Sequence, residues 1–297
     1  MASRIPRRRA ASQWAVAFRR FRKNKSALIG TSIVTVFIIV AVLSPVIAPY
    51  PPRSYAALYE GAAGQPPSWR HPFGVESSGI DVFSEVIHGT KNDLYVGLAA
   101  SVLTMLLGTL IGALAGYFKG TVSDVILGIT QMFFVFPALL LIILFSRIFL
   151  QLVFKGLGLT LIVLILAFFG WPGVSFVVRG ETLRVREMDF ILAARSLGAS
   201  PARILFRHII PNLLSPVIVI SSLSIAGFIL TEVIVSFLGF GDTNTTTWGL
   251  VLNEGLPSIG TQWWVSLFPG LAVVFAVLGF NLMGDGLSDA LNPRLRE

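Results

Sequence analysis

Six apolar stretches, each close to the length needed to cross a bilayer, restrict this chain to folds that a membrane can solvate. A helix needs roughly 20 residues to traverse ~30 Å of hydrocarbon. The stretches run from Ala27 to Ala48, Leu94 to Tyr117, Val125 to Ser146, Leu157 to Val178, Leu213 to Leu238 and Val265 to Leu282. Backbone polar groups find no water in hydrocarbon, so each stretch is expected to close its own hydrogen bonds as a helix. An all-α membrane protein with six transmembrane helices follows. Only 13% of the 297 residues are charged and 54% are hydrophobic, whereas about a quarter of a soluble domain is charged. A soluble fold of this size would leave large apolar patches in water.

The first stretch carries no charge and thirteen Leu, Ile, Val or Phe residues, worth about −4 to −8 kcal/mol of insertion free energy. It exceeds the core of a secretory signal and no A-x-A site follows it, so a retained anchor is expected. Cysteine is absent, which excludes disulfides, thiolate nucleophiles and cysteine-ligated zinc.

Charge sets the expected orientation. With six spans, both termini and the loops after the second and fourth spans share one side. That side collects eighteen of the 23 Lys and Arg residues. They are Arg4, Arg7, Arg8, Arg9, Arg19, Arg20, Arg22, Lys23, Lys25, Lys119, six arginines from Arg179 to Arg207, Arg294 and Arg296. The opposite side holds Arg53, Arg70, Lys91, Arg147 and Lys155. Positive residues stay inside, so both termini are expected in the cytoplasm of a multi-pass cell (plasma or inner) membrane protein. This distribution accounts for the net charge of +8 without invoking nucleic acid. The connection from Pro49 to Asp93 is then extracellular or periplasmic. Its prolines and glycines (Pro49, Pro51, Pro52, Gly61, Gly64, Pro66, Pro67) predict irregular structure.

The loop Glu181–Asn212 is the most informative segment. Asp189 is the expected N-cap of a short helix over Phe190–Leu197, with Gly198 at the left-handed position that ends it. Ser200 and Pro201 suit the N-cap and first position of a second helix, and Pro211 is expected to break the chain before the fifth span. Phe190, Ala194 and Leu197 share one face of the first helix, and Ala193 and Ala194 leave part of it smooth. A helix pair this short has no core of its own. Either it docks on a partner protein, or it packs against the ends of its own spans.

Elsewhere, Glu232 is the one carboxylate expected within a span, and such residues are functional candidates. A structural bond to neighbouring backbone and a role at an external gate both fit it. Trp263 and Trp264 are read as interfacial anchors, while Trp248 fits either an anchor or a receptor-facing surface. Pro137, after Phe133, Phe134 and Phe136, should kink the third span. His71, His88 and His208 are far apart and no H-E-x-x-H pattern occurs, so no metal site or cofactor is expected. The loop arginines fit the inside-positive signal and partner contacts better than a lipid-phosphate patch, because Glu181, Glu187 and Asp189 interleave with them.

Leu192-Ala-Ala-Arg-Ser-Leu-Gly198 followed by His208-Ile-Ile-Pro-Asn212 resembles the EAA-loop motif of ABC importer permeases. Leu192 stands where that family most often has Glu. Four more segments are similar to the C-type permeases of dipeptide, oligopeptide and nickel importers: Phe18–Gly30; His71-Pro-Phe-Gly74 with Gly79-Ile-Asp81; Glu232–Gly241 with Trp248-Gly249 and Asn253-Glu-Gly255; and Gly284–Arg296. In the second of these, Ile80 stands where Arg is usual.

The resemblance implies a type I ABC importer transmembrane fold. It implies a second permease subunit in a pseudo-symmetric pair, two ABC ATPase subunits, an extracellular or periplasmic solute-binding protein and surrounding lipid as partners. It further implies that Asp189, Leu192, Ala193, Ala194, Arg195, Ser196, Leu197, Gly198 and Pro211 couple to the ATPase. Glu232, as an intramembrane carboxylate, and Trp248, in the outer loop, are the candidates for a gate or translocation pathway. No G-x-x-x-x-G-K-[ST] loop is present, so ATP hydrolysis is expected on separate subunits and this chain is not itself the enzyme. The expected organisation is a basic segment over 1–26, the first span over 27–48, and an external connection over 49–93. A five-helix domain over 94–290 follows, with the EAA loop at 181–212, then a cytoplasmic tail over 291–297. A stand-alone secondary transporter or channel is the competing reading, and predicts a relay of intramembrane charges.

Overall fold

The computed structural model describes residues 13–149 and 157–291. Arg4, Arg7, Arg8, Arg9, Lys155, Arg294 and Arg296 lie outside them. The described residues form helices α1 (Gln13–Phe21), α2 (Lys25–Ile47), α3 (Ala56–Tyr59), α4 (Val82–Tyr117), α5 (Thr121–Val135), α6 (Ala138–Ile148), α7 (Leu159–Arg186), α8 (Asp189–Ser196), α9 (Pro201–Ile204), α10 (Ile210–Phe237), α11 (Trp248–Gly255) and α12 (Trp263–Leu291). Five helical segments are long and apolar enough to span alone; α5 and α6 pass the same test only together, as a pair bent by 85°. The bend falls at Phe136-Pro137, where proline removes a donor and crowds the preceding turn.

Two ends of the bundle can be told apart. Asn24 Nδ2, just before α2, donates to Asp289 Oδ2 near the end of α12. Arg186 at the end of α7 donates through Nη1 to the Gly116 carbonyl at the end of α4 (2.8 Å). The ends of the described chain, α8 and α9 therefore share one end, here the near end. At the far end, the Tyr50 N–H donates to Ser84 Oγ, and the α11 loop closes over α4 and α10.

Two expectations about element limits are corrected. The irregular connection stops at Asp81, not Asp93: Asp81 Oδ2 accepts the Ser84 N–H at 2.8 Å and caps α4. With 36 residues, α4 is about 54 Å long at 1.5 Å per residue, so its polar first turns extend past the apolar run. Nor does Pro211 break the chain. Leu205–Ile209 forms a π-turn in which the Ile210 N–H bonds to the Leu205 carbonyl. The wider turn accommodates the proline, and one continuous helix runs from Pro201 to Phe237.

Small residues set the tightest packing. Along α4, Gly108, Gly112 and Gly116 recur every four residues and face α7. A Cβ on Gly112 would lie 2.4 Å from the Ser175 carbonyl oxygen, and one on Gly108 2.6 Å from Val174 Cβ. Bare backbone there lets the two helices touch, the usual way helices associate where lipid weakens the hydrophobic drive. By contrast α2 turns Val36, Ile39, Val42 and Val46 outward, the apolar face a lipid-exposed helix needs.

Candidate functional site

Two places concentrate the residues singled out above, one at each end of the bundle.

At the near end, α8 begins one residue earlier than its acid suggests. Met188 is the N-cap and Asp189 is the first helical residue, with no side-chain capping bond. Placed there, the carboxylate still faces the positive end of the helix dipole. The helix stops as expected. Gly198 has φ +79°; its N–H bonds to the Arg195 carbonyl and the Ala199 N–H to the Ala194 carbonyl, which is the Schellman pattern. Ser200 Oγ then accepts the Arg203 N–H, and Pro201 opens α9.

This turn holds α8 away from the bundle. Ile191 alone is buried, at 0% exposure, in a cluster with Val185, Ile204 and Ile209. Phe190, Leu192 and Leu197 stay exposed, Leu197 at 88%. Ala193, Arg195 and Ser196 are also exposed and Ala194 is half-buried. Five of the six loop arginines keep their expected position on the surface or its margin, but Arg186 is corrected. It is buried and donates to the Gly116 and Tyr117 carbonyls, so it caps α4 instead of meeting a partner. Arg184 is taken up by Glu181 at 2.7 Å.

At the far end, Glu232 sits inside α10 at 0% exposure. One turn on, the Ser236 hydroxyl donates to its Oε1 at 2.6 Å, while Oε2 has no partner. In the same enclosed network lies a residue not anticipated as part of any site, Asp93 of α4, equally buried. Asp93 Oδ2 accepts the backbone N–H of Trp248 at 2.9 Å. The Trp248 indole N–H donates to the Val86 carbonyl at 3.0 Å, and its ring meets Phe37 edge-on at 5.7 Å. Trp248 is thus a fully enclosed strut and not an interfacial anchor.

Glycines permit this packing. A Cβ at Gly89 would lie 2.7 Å from the Trp248 ring, one at Gly97 2.5 Å from Ile229, and one at Gly249 2.4 Å from the Val233 carbonyl. Further bonds close the network. Asn92 Nδ2 donates to the Thr246 carbonyl, Thr246 Oγ1 to Glu85, and Asn253 Nδ2 to the Phe237 carbonyl at the end of α10. Arg53 pairs with Glu254 at 2.9 Å. Glu85, Gly89, Asp93 and Gly97 follow one another at intervals of four. That spacing puts them on one helix face, a signal that was hidden while this stretch was read as loop.

Of the two tryptophans expected at the interface, Trp263 is half-exposed, whereas Trp264 is buried and donates to the Val75 carbonyl. Trp264 is corrected to a core residue. Phe133 packs on Phe168 and Trp171, beside an apolar recess of about 320 Å³ at the α5–α6 bend.

Comparison with known proteins gives a consistent result. Residues 108–297 match the family model described as "Binding-protein-dependent transport system inner membrane component". Residues 12–67 match the "N-terminal TM domain of oligopeptide transport permease C". The chain is 33% identical over 291 residues to the oligopeptide transport system permease protein OppC of Bacillus subtilis, covering 98% of this chain and 92% of that protein. It is 34% identical over 282 residues to the dipeptide transport system permease protein DppC of the same organism, covering 94% and 85%. With the glutathione transport system permease protein GsiD of Pectobacterium atrosepticum it shares 37% over 287 residues, covering 95% and 92%.

Proposed function

The chain belongs to the family of binding-protein-dependent transport system inner membrane components, and from that premise we propose that it is a permease subunit of an ATP-driven importer of peptides or a related solute. It forms half of the translocation pathway, beside a second permease subunit. Two ABC ATPase subunits sit on the cytoplasmic side with both termini, and a solute-binding protein delivers cargo from outside. The relatives named above are permease proteins of oligopeptide, dipeptide and glutathione transport systems, which favours a peptide cargo. None of them supports a stand-alone transporter or channel.

The observation that carries the coupling role is the exposure of α8. A helix that buries Ile191 and leaves Phe190 and Leu197 uncovered on one side has an apolar face without a partner among the described residues of its own chain. At the basic end of the bundle that face is not solvated by lipid tails, so a protein groove is the fitting cover. Alternating access needs such a lever. Swinging a pore from 1:99 to 99:1 between two states takes about 5.5 kcal/mol of differential binding, and the energy has to enter where the ATPase grips.

Two measurements test this. An ATPase should co-purify with the detergent-solubilised protein, and a pure permease pair without one would overturn the reading. Gly198→Val should keep the complex assembled but uncouple it. The Cβ meets nothing within 4 Å, so the penalty is backbone strain alone, about 1–2 kcal/mol for a left-handed residue with a side chain. In proteoliposomes, ATP hydrolysis should continue while transport per ATP falls severalfold. Unchanged coupling would remove the turn from the mechanism.

A further inference from the structure

The first 59 residues contain no Asp or Glu, and their basic charge gathers where the chain enters the bundle. Helix α1 has nine residues, about 13 Å at 1.5 Å per residue, too short to cross a bilayer. It is two-sided. Phe21 follows Ala17 by four residues and Phe18 by three, so the three share one apolar arc. The helix packs along α12. Ala17 is buried and Phe21 half-buried, whereas Phe18 is 64% exposed. Arg19, Arg22, Lys23 and Lys25 are also exposed, and they form no ion pair among the described residues. The Arg22 guanidinium lies 5.9 Å from the centre of the Phe18 ring. Helix α12 brings two acids to this end, Asp285 and Asp289, and Asn24 donates to the second.

Helix α2 fixes the height of this cluster. Its base is clamped to α12: a Cβ on Gly286 would strike Ala27, and one on Gly30 would strike the Met283 backbone. Leu28 and Ile29, 44% and 55% exposed, open its outward apolar face. Lys25 precedes Leu28 by three residues, about 4.5 Å along the axis. Arg22 and Lys23 lie in the turn just before it. All three therefore stand where hydrocarbon gives way to lipid headgroups. A long basic side chain reaches phosphate from that level while its stem stays against apolar surface.

We propose that α1 lies in the headgroup layer with Phe18 dipped into the acyl boundary, and that Arg19, Arg22, Lys23 and Lys25 bind anionic phospholipid. Charge complementarity selects that occupant. A two-sided basic helix, in an acid-free stretch beside a lipid-facing span, is what a negatively charged membrane surface attracts. Bound lipid then steadies the base of the α2–α12 pair, because Asn24 between α1 and α2 is tied to Asp289. Such binding requires only a chain in a bilayer, whether or not α8 meets an ATPase.

The test is electron paramagnetic resonance of the intact importer in phosphatidylcholine vesicles carrying a trace of spin-labelled phosphatidylglycerol or spin-labelled phosphatidylcholine. The motionally restricted fraction of each label gives the preference for the anionic lipid. The wild type should favour phosphatidylglycerol about twofold or more, and 1 M salt should remove most of the excess as the screening length falls to about 3 Å. A combined Arg19→Gln, Arg22→Gln, Lys23→Gln and Lys25→Gln variant should lose at least half of it. Arg4, Arg7, Arg8, Arg9 and Arg20 remain there to orient the first span, so this variant should insert and melt like the wild type. Arg19→Lys with Arg22→Lys should keep the preference, because charge is what the lipid reads. Arg195→Gln, Arg203→Gln and Arg207→Gln together, at the α8–α9 loop, should keep it too. No preference in the wild type, an undiminished one in the fourfold variant, or an equal loss in the α8–α9 set would overturn the proposal. So would a fourfold variant that sheds the ATPase while holding its lipid preference, since a protein would then cover the cluster.

Discussion

Leu197→Asp should leave the membrane bundle intact and strip the ATPase from it. The side chain is 88% exposed and contributes almost nothing to the chain's own core, so expression and melting temperature of the isolated permease pair should match the wild type. On a partner's surface the same residue would be enclosed, on the same side of α8 as Phe190, and an aspartate there would be desolvated without a counter-charge. Central interface positions of this kind cost about 2 kcal/mol or more when disrupted, a factor of roughly 30 in affinity. Pull-down of the ATPase subunits and transport should both drop accordingly, with Leu197→Ala intermediate. Ile191→Asp is the informative contrast: it is fully buried among Val185, Ile204 and Ile209, so it should damage folding itself. If Leu197→Asp bound the ATPases as tightly as the wild type, the exposed face of α8 would have no part in docking.

Gly112→Leu should have the largest effect on folding of any single substitution in the transmembrane core. Its first carbon alone would fall 2.4 Å from the Ser175 carbonyl oxygen and 2.9 Å from Val178 Cβ. The first of these is backbone in the middle of α7 and cannot swing away. Separating α4 from α7 would also open the contacts at Gly108 and Gly116, because all three lie on one line. The cost should exceed the 1–3 kcal/mol typical of an overpacked core. Monodisperse protein in detergent should be nearly absent, and what remains should melt well below the wild type. Gly128→Ala in α5 serves as the control. Nothing lies within 4 Å of its added carbon, and alanine is the better helix former by about 1 kcal/mol, so that variant should be neutral or slightly more stable.

Local and solvent-driven features were readable from the chain. Each apolar stretch had to become a helix, because hydrocarbon offers its backbone no other partner, and five of the six appear as single spanning helices while the third is the bent α5–α6 pair. The bend at Pro137 and the Schellman turn at Gly198 follow from what one residue's φ allows. The helical turn after α7 was recognisable for the same reason: its punctuation by Gly198, Ser200 and Pro201 acts over a few residues.

Misreadings arose where a polar stretch could be helix or loop depending on what lay beside it. Residues 82–93 carry Glu85, His88, Lys91, Asn92 and Asp93, which by hydropathy alone resemble a connection. They become helix because Asp81 caps them and Thr246 and Trp248 supply their partners. Pro211 failed to end the helix because a π-turn was available upstream. Asp189 was not needed as a cap, because Met188 already has the extended backbone of that position.

What the chain determined by itself was therefore the helical character of each apolar stretch, the basic bias of one side and the geometry of the α8–α9 turn, all governed by the bilayer or by neighbours a few residues away. Tertiary structure decided that Asp93 meets Trp248, that Arg186 caps α4, and that Leu197 remains uncovered. Asp93 and Trp248 are 155 positions apart. At such separations a hydrogen bond exists only after several helices have docked, and no pattern within either segment records which carboxylate will face which donor.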